Sequence, residues 1–180
     1  MIDVVDGRPR RRRIGLISDT HGLLRPQARS FLVGCDHIIH AGDIGHSGIL
    51  DELAAIAPLT AVRGNNDGGP WAQRLPLVAD ISIGGARIRV IHILEDLADP
   101  RQVAEVADAA HAPGVEDGVQ LDGPVRVVVS GHSHKPLVQE RNGILYVNPG
   151  SAGPRRFKLP IAIGELLIEA SSVSARLVEL

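Results

Sequence analysis

Apolar residues along this chain come in short runs, and several of the runs stop abruptly at a cluster of small, charged and imidazole side chains. Arg13 to Ser18, His37 to His40 and Leu59 to Arg63 have the length and aliphatic content of strands, and the first two are each followed by a helix-like stretch. Pro26 should open the first helix and Gly34 close it, since proline suits a first turn and glycine the position past a last one. Ser47 is expected to cap the second, with Asp51 and Glu52 in its early turns and Ile49, Leu50, Leu53, Ala54, Ile56 and Ala57 on its apolar face. Leu77 to Ile83 and Ala86 to Ile91 flank Gly84-Gly85, and Leu137 to Arg141 and Ile144 to Val147 flank Asn142-Gly143, so both pairs read as tight hairpins. The pattern further predicts a helix from about Pro100 to Ala110, a surface loop or short insertion over Ala112 to Pro124, a buried strand over Val125 to Ser130, and a last hairpin of Ile161 to Glu169 with Val173 to Val178.

Strands that alternate with helices in the first half favour a parallel sheet, and functional groups in such sheets collect at the carboxyl ends of the strands. Five clusters hold that position: Asp19-Thr20-His21, Gly42-Asp43, Gly64-Asn65-Asn66-Asp67, His92, and Gly131-His132-Ser133-His134. In the first and last, ligand-type side chains stand two positions apart, so both can face one pocket where a strand opens into a loop. The donors are Asp, His and Asn with no thiolate, which suits borderline or hard divalent metals such as Mn, Fe, Co, Ni or Zn rather than a closed structural zinc site. Four His, two Asp and one Asn are too many for one ion. A shared carboxylate would let two ions sit about 3.5–4 Å apart, as in two-metal phosphoryl hydrolases.

Composition narrows the setting. A chain of 180 residues fits one domain, its net charge of -2 exerts no global pull toward nucleic acid or membrane, and no apolar stretch approaches a bilayer span. Met1 to Gly7 lacks the apolar segment of a signal peptide, and with Cys35 alone there is no disulfide framework, so a cytoplasmic setting is expected. Aromatic residues make up only 2% of the chain, which speaks against an aromatic platform for stacking bases. The run Arg8 to Arg13 repels itself and contains Pro9, so residues 1–12 are expected to be a flexible basic tail and residues 13–180 one domain. Among the remaining histidines, His40 is a candidate to orient a ligand and His46 to reach a phosphate oxygen, whereas His37 and His111 read as structural or exposed.

The ordered series Asp-x-His, Gly-Asp, Gly-Asn, His, Gly-His-x-His, with Ile38 to Ile44 and Asn148-Pro149-Gly150-Ser151 around it, resembles the calcineurin-like metallophosphoesterases, and within them the small bacterial and archaeal phosphodiesterase branch. The resemblance runs from about Ile14 to the C-terminus. It implies an α/β fold of two packed mixed β-sheets flanked by helices in a four-layer αββα sandwich. It also implies a phosphoric ester hydrolase, a phosphodiesterase, acting on a small-molecule phosphoester with two divalent ions, Mn2+ foremost and Ni2+, Fe2+, Co2+ or Zn2+ as alternatives. Asp19, His21 and His134 would hold one ion and Asn65, His92 and His132 the other, with Asp43 bridging. Asp43 and Asn65 would be the catalytic pair, and a hydroxide bridging the metals would attack phosphorus in line with the leaving oxygen.

Two departures from that pattern bear on mechanism. Many relatives place a histidine after Gly-Asn to protonate the leaving oxygen; Asn66 stands there, and an amide is no general acid. Relatives commonly show His-Gly-His where this chain reads His92-Ile93-Leu94, so substrate contacts on that side should differ. Two other readings are weighed against the enzyme: a noncatalytic interaction scaffold on the same fold, and a nuclease, the latter favoured only by the arginine run. Neither nucleic acid nor membrane is expected as a partner, and self-association into a homo-oligomer stays open.

Overall fold

The computed structural model describes residues 4–5, 8–9, 11–97, 123–156, 158–170 and 172–180. Twelve strands and two α-helices are arranged as β1 (Val4–Val5), β2 (Arg8–Pro9), β3 (Arg12–Ile17), α1 (Pro26–Leu32), β4 (His37–His40), α2 (Ser47–Ala54), β5 (Leu59–Ala61), β6 (Val78–Ile83), β7 (Ala86–Ile91), β8 (Val125–Val129), β9 (Leu137–Arg141), β10 (Ile144–Asn148), β11 (Ala162–Glu169) and β12 (Ser172–Glu179). One sheet has the order β12-β11-β3-β4-β5 and a second the order β6-β7-β8-β10-β9, while β1 and β2 form a separate two-stranded ladder. In the first sheet β3, β4 and β5 run parallel; in the second β7, β8 and β10 do. Both sheets are therefore mixed, with antiparallel hairpin strands added at their margins.

Alternation along the strands explains the layering. Ile14, Leu16 and Ile39 point from the first sheet into a fully buried core shared with Ile88, Val90, Val127 and Val129 of the second. Their neighbours Ile17 and Ile38 point the other way and meet Leu32 of α1 and Ile49 and Leu53 of α2. Both faces of β3 and β4 are thus covered, which is why these strands read as continuous apolar runs rather than as alternating ones. Each such side chain withdrawn from water is worth about 1.5–3 kcal/mol, enough to make the register of the central strands unambiguous. The outer face of the second sheet carries its own apolar cluster of Ile91, Val125, Val128 and Ile144. The helix expected at Pro100 to Ala110, and all but the end of the loop expected at Ala112 to Pro124, lie outside the described residues.

The turn chemistry behaves as its residues demand. Gly84-Gly85 and Asn142-Gly143 all take positive φ in two-residue hairpin turns. Pro26 is the first helical residue of α1 and Gly34 follows its end with φ 81°. Ser47 is inside α2 rather than its cap: the N-cap is His46, which makes no side-chain capping bond. The arginine run is divided. Arg12 begins β3 opposite Ile168 and lies 3.5 Å from Asp36, and Arg13 joins Glu165 of β11 at 2.6 Å while donating to the carbonyls of Phe31 and Val33 at the end of α1. Partners on two other elements, far away in sequence, recruit these two cations into the domain.

Two histidines on β4 are buried neutral. His37 Nε2 meets Thr60 Oγ1 at 2.8 Å, and burial lowers its pKa to about 4. His40 is wholly enclosed, and burial lowers its pKa to about 3. Its Nδ1 accepts from the Gly42 amide at 3.2 Å, so Nε2 carries the proton toward Thr20 Oγ1, which donates onward to the Ile44 carbonyl. Between about pH 6.5 and 4 the unfolded chain binds protons at these rings that the folded chain refuses, so stability falls as pH falls through that window. The urea midpoint of metal-free protein should drop steadily from pH 6.5 to 4.5, and His37→Gln should flatten that slope by about one proton's worth, or about 1.4 kcal/mol per pH unit; an unchanged slope would place the proton uptake elsewhere.

Candidate metal centre

The ends of β3, β4 and β5 in one sheet and of β7 and β8 in the other point to a common edge, and all five ligand clusters sit there. Backbone bonds between loops fix the clusters: the amides of Asp19, His21 and Gly22 donate to the carbonyls of Gly42, Asp43 and Ile44, and the Gly131 amide to that of His92. Among the described residues seven that are not glycine have positive φ, and five of these are Asp19, His21, Asp43, His132 and His134. Asp and His tolerate this region better than most residues, yet such a concentration of left-handed backbone is held only by surrounding structure and belongs to functional sites. Gly131 has to be glycine, because a Cβ there would stand 2.1 Å from Ser18 Oγ and 2.9 Å from Asp19 Oδ2.

Donor atoms converge in two groups. In the first, His134 Nε2 lies 3.2 Å from Asp19 Oδ1 and 3.4 Å from His21 Nε2, which is itself 4.0 Å from Asp19 Oδ1. In the second, Asn65 Oδ1 is approached by His92 Nε2 at 3.1 Å and His132 Nδ1 at 3.0 Å. Asp43 Oδ2 stands between them, 3.8 Å from His21 Nε2 and 3.4 Å from His92 Nε2. Asp19, Asp43, His92 and His134 are buried, while Asn65 and His132 face solvent, so the second group forms the accessible side. All seven residues singled out in the sequence therefore lie in one contiguous cluster.

The donors fit divalent cations on a direct structural ground. Asp19 Oδ1 is a buried anionic oxygen that accepts no hydrogen bond, although His134 Nε2 is near it. A bare buried carboxylate oxygen of this kind is costly unless a cation or a hydrogen bond satisfies it. Asp19 Oδ2, by contrast, is held by Ser18 Oγ at 2.6 Å and the His132 amide at 3.2 Å, which aims Oδ1 into the cluster. The His92 ring is set in the same way. Its Nδ1 faces the Ala41 carbonyl at 2.7 Å and must carry a proton, leaving Nε2 toward Asp43 and Asn65.

Electrostatics follow from this crowding. Burial alone would raise the Asp43 pKa, but hydrogen bonds from His92 and from both the side chain and amide of Asn66 outweigh it and hold the carboxyl well below its usual range. Burial alone would lower the His92 pKa, yet the Asp43 carboxylate and the Ala41 carbonyl prevail and raise it. His21 is shifted downward, by burial first and by the charge of Arg156 second. Without a cation, the raised pKa and the two acceptors around Nε2, Asp43 and Asn65, favour a proton at the position a cation would take. Mn2+ titrated calorimetrically near neutral pH, in buffers of different ionisation enthalpy, should thus release protons; the same heat in every buffer would show a neutral ring.

Three residues matter more than the sequence suggested. Asn66, read as the empty place of a missing acid, donates Nδ2–H to Asp43 Oδ2 at 2.6 Å and its amide N–H to Oδ1 at 2.8 Å. Asp67 accepts from the amides of Ile44, Gly45 and Gly64 at 2.7, 2.9 and 2.8 Å, joining the loops after β4 and β5. Its place two residues after Asn65 was the only signal. Arg156 is exposed on a segment that Ser151 and Arg25 tie to the first loop, through bonds to the carbonyls of Asp19 and Gly153. His40 orients loops through Thr20 rather than touching a donor, and the His46 ring lies over Gly22, within 3.5 Å of where a Cβ would be. Asp67→Ala should cost about 2–4 kcal/mol of stability and weaken metal retention, because three amides lose a charged acceptor; thermal melts with and without Mn2+ check this, and a variant as stable and as metal-loaded as the parent would contradict it.

Residues 13–170 match the family model described as calcineurin-like phosphoesterase superfamily domain. A probable metallophosphoesterase of Methanocaldococcus jannaschii is 34% identical over 77% of this chain and 67% of its own length. Among solved structures, vacuolar protein sorting 29 of Cryptosporidium parvum superposes with a TM-score of 0.71 at 19% identity, covering 94% of this chain and 92% of that one. A protein described as a novel archaeal phosphodiesterase superposes at 0.67 with 21% identity, covering 93% and 99%. At such identities the two structures establish the common fold.

Proposed function

Because the chain belongs to the calcineurin-like phosphoesterase superfamily, we propose that it is a two-metal phosphodiesterase acting on small phosphodiesters in the cytoplasm. The observation that carries this reading is the position of Asp43 Oδ2 between two groups of inward-facing donors. Asp19, His21 and His134 would hold one divalent ion and Asn65, His92 and His132 the other, with Asp43 shared and Mn2+ the expected metal. Two such ions supply Lewis acidity toward the phosphoryl oxygens and lower the pKa of a water that serves as nucleophile.

The chain's own groups do the rest. The side chain and backbone amide of Asn66, together with His92, orient Asp43 and hold its carboxyl well below the usual carboxylate range. Neutral Asn65 in place of a third carboxylate leaves more net positive charge on its side of the site. Arg156 adds a cation near His21, suited to an anionic substrate. Asn66, whose side-chain amide donates to Asp43, does not ionise and so cannot protonate the leaving oxygen. His46, over Gly22, is the first candidate for that task.

A scaffold on the same fold is the second reading, favoured by the likeness to vacuolar protein sorting 29. It gives no reason for a strained, donor-rich cluster with an unsatisfied Asp19 oxygen. Hydrolysis of bis(4-nitrophenyl) phosphate across divalent metals separates the two. Turnover should require added metal, cease with strong chelators, and fall by about a hundredfold or more in Asp43→Asn, since changes even to groups behind a ligand cost ten- to hundredfold. Full activity in metal-free protein would overturn the enzyme assignment as framed, and no hydrolysis of any phosphoester would favour the scaffold.

Proton supply gives a separate expectation. With no acid at Asn66, rates under chemistry-limited conditions should depend steeply on leaving-group pKa. A shallow dependence that becomes steep in His46→Gln would instead identify His46 as the donor.

A further inference from the structure

Beside the accessible half of the metal cluster lies a cavity of about 480 Å³, in the range of small-molecule sites. Asn65 and His92 belong to both, so the cavity opens directly onto the proposed reaction centre. Part of its lining is aliphatic, formed by Leu77, Val78, Ile91 and Ile93. Gly64 and three charged side chains complete the lining, Arg63, Asp67 and Asp96, of which Asp67 is already engaged by the amides of Ile44, Gly45 and Gly64. Leu77 is 59% exposed and presents its side chain at the rim of this space. Arg63 has no hydrogen-bond or ion-pair partner for its guanidinium among the described residues. Ile93 occupies the place next to His92 where related chains were expected to carry glycine, so a branched side chain now faces this space.

Resting on the phosphodiesterase reading, we infer that this cavity seats one ester group of the substrate and that the group is planar and aromatic. The physical grounds are complementarity and continuity. An aliphatic wall desolvates a ring and a guanidinium has a flat face that stacks on one; the wall offers nothing to a bare phosphate and is larger than a methyl group can cover. A phosphate held at Asn65 and His92 would place its ester oxygen at the mouth. The planar group could be a simple aryl ring or a nucleobase; Arg63 and Asp96 offer a donor and an acceptor that only the latter can use.

Equilibrium binding of monoesters to Mn2+-loaded protein tests this without relying on turnover, because each ligand carries a single organic group. By calorimetry, phenyl phosphate should bind about tenfold or more tightly than methyl phosphate, the gain expected for burying a ring. Thymidine 5′-phosphate tighter still would identify the nucleobase source, and phenyl phosphate tightest the aryl one. Leu77→Ser, which removes wall, and Leu77→Trp, which fills the space, should each bring the phenyl-to-methyl ratio down to about twofold or less. Both substitutions are at an exposed side chain, so the fold should tolerate them. Equal affinity for the two monoesters in the unaltered protein, or a preference that survives both substitutions, overturns the cavity assignment while leaving the metal centre intact. Failure of any phosphate to bind the metal-loaded protein would overturn the phosphodiesterase reading with it.

Discussion

Two buried carboxylates, Asp19 and Asp43, are held within one donor cluster at the edge where the sheets meet, and their mutual repulsion is the constraint around which the loops are built. Each is stabilised from behind: Asp19 by Ser18 and the His132 amide, Asp43 by both nitrogens of Asn66. At Asp19 those bonds engage Oδ2 and leave Oδ1 turned toward His134, whereas at Asp43 both oxygens are engaged and Oδ2 also faces His21 and His92. His92 compensates further, since its Nε2 faces Asp43 and its pKa is raised there. The arrangement is thus electrostatically incomplete by construction, and divalent cations are the species that complete it most economically in charge.

Keeping these groups together requires a rigid frame. Central strands buried on both faces supply it, and the left-handed backbone at five donor residues is sustained by inter-loop amide bonds and by the Asp67 clamp. His40 serves the same purpose from underneath, passing a hydrogen bond through Thr20 to the Ile44 carbonyl. Stability and site geometry are therefore coupled: what loosens the loops after β4 and β5 should loosen metal retention before it unfolds the sheets.

Much of this was legible in the sequence because it is local. A Pro26 start, a Gly34 stop and the Gly84-Gly85 and Asn142-Gly143 turns depend only on neighbouring residues, and each appears where its backbone preference puts it. The two-sheet fold and the family came from the order of motifs, since no periodicity distinguishes two packed sheets from one. Contacts at long sequence separation were not readable: Asn66 is 23 residues from Asp43, and Arg13 is 152 from Glu165. Asn66 was seen as an absence, a missing acid, when its partner makes it a brace for Asp43. Arg12 looked like the end of a solvated tail because its carboxylate partner, Asp36, lies beyond α1.

Two cations sharing Asp43 would complete this site, and anomalous diffraction from crystals of Mn2+-loaded protein, recorded at the manganese edge, would locate them. Two peaks are predicted, one among Asp19, His21 and His134 and one among Asn65, His92 and His132, each within bonding distance of the Asp43 carboxylate. A single peak, or two peaks of which neither touches Asp43, would contradict that arrangement.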